Sequence, residues 1–75
     1  MEQRGIKLYY RVANTRKIPY IDRIVKAYEG LGFLEVLDGG LIEVLTTTGN
    51  YRDMKVIMDE LTTRMEMEFI GEDWE

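Results

Sequence analysis

Ile6, Leu8, Tyr10 and Val12 alternate with Lys7, Tyr9 and Arg11, a period of two in branched and aromatic residues that predicts a strand with one buried face. The period then lengthens. Ile21, Ile24, Val25 and Tyr28 fall at helical spacing, with Asp22, Arg23, Lys26 and Glu29 on the other side. Pro19 suits the first helical turn, Ile18 falls at the cap position, and Gly30 and Gly32 stop the helix. Residues 33–37 and 41–46 form two short apolar runs around Asp38, Gly39 and Gly40, which predicts a hairpin with a three-residue loop. The expected register sets Leu37 against Leu41, Val36 against Ile42, Glu35 against Glu43 and Leu34 against Val44, because a one-residue slip would mix the faces. Asn50 is the expected N-cap of a second helix, with Asp53 in its first turn. Its apolar stripe is Tyr51, Met54, Met58, Leu61 and Met65, widened by Val56 and Ile57. Met67 and Phe69 alternating with Glu66, Glu68 and Ile70 predict a last strand, continuation of the helix to about Phe69 being the alternative. The acidic end, residues 71–75, is expected to fray, with Trp74 either folded onto the outer sheet face or disordered.

The order strand, helix, strand, strand, helix, strand predicts an α+β fold, the ferredoxin-like βαββαβ sandwich. Its four-stranded antiparallel sheet has the order 4-1-3-2, with both helices on one face. All 75 residues belong to a single domain, since one proline and scattered glycines leave no linker. On the uncovered face Lys7, Tyr9 and Arg11 fall between Glu43 on one neighbouring strand and Glu66 and Glu68 on the other. Phe33, Leu37, Leu41 and Leu45, with Tyr9 and Ile70, make that face more apolar than a solvated one. The expectation is a homodimer stacked through it, Lys7 and Arg11 of one copy facing Glu35 and Glu43 of the other, or a partner protein on the same surface.

Composition narrows the chemistry. Cysteine and histidine are both absent, which removes thiolate nucleophiles, disulfides, most zinc sites and the usual general base at neutral pH. No catalytic residue, metal or cofactor is expected. The net charge of −4 speaks against nucleic acid, and no apolar run approaches the length of a membrane span or signal peptide, so a soluble cytoplasmic protein is expected. Charge is also uneven. Residues 1–28 carry seven cations and two acids, residues 29–75 three cations and twelve acids, so the halves attract each other within one chain or head to tail between chains.

One loop has the makings of a ligand site. Asn14, Thr15, Arg16 and Lys17 gather before a helix N-terminus, where amide groups and the dipole favour an anion, with Asp38 and Gly39 at the same end of the sheet. Amino-acid-binding ACT domains share the topology and use this loop, so an ACT-like domain binding a small anionic metabolite is the alternative function. Acylphosphatases use it too, but the glycine found there in both families is missing between Val12 and Gly30, and neither Arg11 nor Arg16 is read as catalytic. Met54, Met58 and Met65 read as core fillers, and the acids from Glu66 to Glu75 as a solvated tail.

The stretches "YYRV", "IPYIDRIVKAYEGLGFLEVLD" and "LIEVL", with Tyr28, Glu29, Gly30 and Leu31 closing the first helix, resemble a group of short bacterial proteins known as a domain of unknown function, number forty-nine eleven. The resemblance runs from about Lys7 to Leu45. It implies the same fold and brings no activity, substrate or site residue with it.

Overall fold

A computed structural model describes residues 4–28 and 30–75. Its elements run β1 (Gly5–Val12), a 3-10 turn (Thr15–Lys17), α1 (Ile18–Ala27), β2 (Phe33–Asp38), β3 (Leu41–Thr47), α2 (Tyr51–Arg64) and β4 (Met67–Trp74). The sheet is antiparallel in the order β2-β3-β1-β4, which is the ferredoxin-like arrangement. No helix among the described residues is long and apolar enough to cross a membrane.

The alternation in β1 decides where the core lies. Ile6, Leu8, Tyr10 and Val12 are all buried and join Ile42 and Val44 of β3, Ile21 and Val25 of α1, and Met54, Met58 and Leu61 of α2 in one cluster. Both helices therefore cover the same side of the sheet. α1 starts one residue earlier than expected, with Ile18 inside the helix and Lys17 at the cap position without a side-chain bond. Gly30 then takes a left-handed φ of 83° as the chain turns back, a conformation that costs glycine little. Gly32 serves a different need: a Cβ there would lie 2.2 Å from the Leu45 carbonyl oxygen, so only glycine lets the chain pass so close to β3.

The hairpin keeps three of its expected pairs, Leu34 with Val44, Glu35 with Glu43 and Val36 with Ile42. The fourth differs. Asp38 pairs with Leu41, Leu37 is displaced into a bulge, and the loop shortens to Gly39 and Gly40. Gly40 approaches β1 so closely that a Cβ would meet the Val12 carbonyl oxygen at 2.5 Å, and its own carbonyl accepts the Val12 N–H at 2.7 Å. That bond holds the turn against β1, and the bulge absorbs the extra residue.

α2 begins after Asn50 as expected, yet the Asn50 side chain does not cap it; its amide instead donates to the Gly30 carbonyl at 2.9 Å and ties the two loops together. Val56 is 64 % exposed and does not widen the buried stripe, whereas Ile57 packs at its edge. The helix ends at Arg64, Glu66 turns the chain at φ 53°, and Met67 opens β4. The end expected to fray is paired: Gly71, Glu72, Asp73 and Trp74 lie opposite Tyr9, Leu8, Lys7 and Ile6. A register shift after Phe69 inserts Ile70 and reverses the alternation, so that Glu72 and Trp74 point to the helical side, not the outer one.

Candidate interaction surface

The outer face follows from the register row by row. Phe33, Leu45, Lys7 and Asp73 form one row, and Glu35, Glu43, Tyr9 and Gly71 the next. Asp38, Leu41, Arg11 and Glu68 form the third. At one end Gly5 pairs with Thr47, and the Glu75 carboxylate lies over Gly5. The residues singled out as an interface, Lys7, Tyr9, Arg11, Phe33, Glu35, Leu37, Leu41, Glu43 and Leu45, thus meet on one surface that no helix covers. Phe33 is 74 % exposed, Leu37 is exposed at its bulge, and Leu41, Leu45 and Tyr9 are partly buried by their neighbours. Glu66 stands in the turn before β4, so Glu68 alone of the two expected glutamates faces Arg11.

Glu43 is the anomaly of this face. It sits on an open surface yet is only 8 % exposed, with the like-charged Glu35 directly across from it and Tyr9 on its other side. Among the described residues it makes no ion pair; the pairs formed are the helix-surface ones Asp22–Lys26, Lys55–Asp59 and Glu60–Arg64. Like charges opposite each other weaken a sheet.

Beside this row lies a cleft of about 280 Å³ at the end of the sheet, lined by Leu31, Phe33, Leu45, Thr46, Thr47, Asn50 and three glycines. It is mostly apolar. The Thr47 hydroxyl is buried there without a hydrogen-bond partner, while the Thr46 hydroxyl is engaged, donating to the Leu31 carbonyl at 2.7 Å. No local pattern in the sequence marks this cleft, since its walls come from three separate segments.

The loop of Asn14, Thr15, Arg16 and Lys17 is arranged less openly than an anion site needs. The Asn14 side-chain oxygen accepts the Arg16 N–H at 3.0 Å, its carbonyl accepts the Lys17 N–H at 3.0 Å, and the Ile18 N–H donates to the Thr15 carbonyl. Three amides that would greet an anion already have partners. Asn14 is the residue that caps here, a role its sequence position before a basic pair conceals.

A second cluster, on the helical side between α2 and β4, was not foreseen. The Tyr51 hydroxyl donates to one Glu72 carboxylate oxygen at 3.0 Å and the Trp74 indole N–H donates to the other, with the two rings 4.9 Å apart. Lys55 places its ammonium 3.9 Å from the Phe69 ring centre, and Phe69 in turn leans on Tyr10 at 5.3 Å. Burial pushes the Tyr10 phenol well above the ordinary tyrosine range, reinforced by negative charge at Asp59, Tyr51 and Glu72, and its hydroxyl has no hydrogen-bond partner. Tyr51 is raised as well, by desolvation first and then by its bond to Glu72. These contacts bind the last strand to the helix. Among the described residues no group of acidic side chains is arranged to hold a metal ion.

Fold and surface together define a small ferredoxin-like domain with one bare sheet face. The chain belongs to a family described as a domain of unknown function, DUF4911, whose model matches residues 10–65. No curated protein and no solved structure matches it.

Proposed function

We propose that this protein is a non-enzymatic association module whose bare sheet face receives another polypeptide, either a second copy of the chain or a partner protein. One observation supports the reading above others: α1 and α2 bury their apolar stripes on one side, leaving Phe33, Leu37, Leu41 and Leu45 in a single uncovered area on the other. Contiguous apolar surface of this kind on a small domain marks a binding site more often than a solvated face. In the homodimer form, a two-fold axis sets Lys7 and Arg11 of one copy against Glu35 and Glu43 of the other. Metabolite binding at residues 14–17 has less support, because the amides of that loop are already engaged. The test is a Leu41→Asp variant. Association, read as dimer mass in light scattering or as affinity for a selected ligand, is lost in that variant while the fold is kept. Association that survives Leu41→Asp places the binding surface elsewhere.

A further inference from the structure

The charge of the open face identifies the kind of partner it fits. Its side chains are two cations, Lys7 and Arg11, and six acids, Glu35, Asp38, Glu43, Glu68, Asp73 and Glu75. The other described residues carry eight cations and six acids, so among the described residues the excess of acid lies on this one surface. Stacking two such faces would bring twelve acids against four cations. A basic partner meets no such opposition.

Glu43 sharpens the requirement. Its side chain is largely covered by its neighbours and forms no ion pair among the described residues, and any docked chain covers what remains and dehydrates Glu35 beside it. That step is favourable only when the occupant brings its own positive charge to the pair, because a buried carboxylate must be compensated. Next to this row, the cleft formed by Leu31, Phe33, Leu45 and the side-chain-free backbone of Gly5 and Gly32 offers an apolar socket. Its volume of about 280 Å³ is enough for one bulky side chain. Leu45 and Glu43 are two residues apart on β3, as Phe33 and Glu35 are on β2, a separation of roughly 6.8 Å along a strand.

Building on the association reading, we infer that the open face binds an extended, basic segment of a partner protein, in which a bulky apolar residue fills the Phe33–Leu45 cleft and a Lys or Arg two positions away pairs with Glu43 and Glu35. The anchor supplies burial at the centre of the contact, and the ion pair supplies selection against acidic chains, including this one.

A phage-displayed library of random linear peptides, selected on the full chain, tests this directly. The enriched sequences carry a bulky apolar residue two positions from Lys or Arg, and the synthesised consensus peptide binds in fluorescence anisotropy with an affinity that falls as salt is raised. Glu43→Gln weakens that peptide about 30-fold or more, the loss typical of removing one member of a desolvated pair. Phe33→Ala, at a position too exposed to matter for folding, weakens it roughly tenfold. Circular dichroism confirms that both variants are folded. Three results overturn the inference: no enrichment, enrichment of sequences without a basic residue, or binding indifferent to Glu43→Gln and Phe33→Ala. The association reading fails separately. A chain that is dimeric in light scattering and made monomeric by Leu41→Asp keeps that reading but refutes the basic segment, whereas a monomeric chain with no selected peptide refutes both.

Discussion

Val44 and Leu45 are adjacent in β3, yet they belong to different environments. Val44 is fully buried among Leu8, Met54 and Met58, whereas Leu45 lies on the bare side between Phe33 and Lys7. The covered face is nearly all hydrocarbon and its polar groups are few; the open face mixes leucines with most of the unbalanced acids. Two consequences follow from this difference. Stability is built mainly on the covered side, where most area leaves water, and the open side adds only the partial burial of residues such as Tyr9, Leu41 and Leu45. Keeping Glu43 nearly buried opposite Glu35 goes further and works against the sheet. Residues that cost the isolated fold stability are best explained by what they bind.

Exchanging charge for hydrocarbon separates the faces with the largest effect. A domain of 75 residues without disulfides rarely holds more than roughly 3–5 kcal/mol. Val44→Asp, which puts an unpaired carboxylate in the core, costs more than about 4 kcal/mol and leaves the chain largely unfolded in circular dichroism. Leu8→Ala, a cavity on the same side, costs about 2–5 kcal/mol in urea melts. If either variant melts like the parent, the helical side is not where the stability resides.

The covered face also contains one correctable fault. Tyr10 is completely buried and its hydroxyl finds no partner, so the sheet gives up the water that hydroxyl would have kept. Tyr10→Phe removes the polar atom and keeps the ring against Phe69. The expected gain is about 1 kcal/mol. In a domain of this size that raises Tm by roughly 4–8 °C. A drop in Tm would mean that the hydroxyl has a partner after all.

Titration probes the same residue. The folded state holds the Tyr10 and Tyr51 phenols above their ordinary value, near 10, so below that pH both phenols stay protonated in both states and add no pH dependence. Above it the unfolded chain releases the protons first and gains on the folded one. Stability therefore declines as pH rises past about 10, and Tyr10→Phe makes the decline shallower. An alkaline limb unchanged in that variant would assign the loss to other groups.

Much of this was legible in the chain, and the failures share a cause. Period two in β1, glycine stops after α1 and the paired aliphatics of β2 and β3 are local signals, and each element formed where those signals stood. Three hairpin pairs followed from keeping polar residues on one side. The bulges did not follow. Leu37 and Ile70 are single insertions, invisible to a periodic reading, yet each changes which residues face where beyond it. Ile70 alone sends Glu72 and Trp74 to Tyr51 and turns an expected frayed end into half a strand. The asparagines illustrate the same limit: both precede helical turns, but Asn14 caps while Asn50 reaches across to Gly30, a partner twenty residues away in the chain. The open face was readable as a set of residues; the burial of Glu43 and the cleft beside it needed three segments to be brought together.

The smallest expected change in stability is the most telling for function. Leu41→Asp sits one residue before Ile42, a core position, but its own side chain lies on the bare face directly opposite Arg11. Losing a partly buried leucine there forfeits some burial. The new carboxylate stands between Arg11, a cation with no ion pair among the described residues, and Asp38, a like charge. Favourable and unfavourable cross-strand pairs are each worth about 0.2–1 kcal/mol and largely cancel, so the melt should fall by less than about 1 kcal/mol, from the lost burial. Association through this face responds oppositely, since the same substitution adds a seventh acid and removes a contact leucine. A variant that melts like the parent and no longer associates would divide the sheet into one side that folds the chain and one that engages its partner; a variant that unfolds would show that the bare leucines contribute to stability, and the contrast between the faces would collapse.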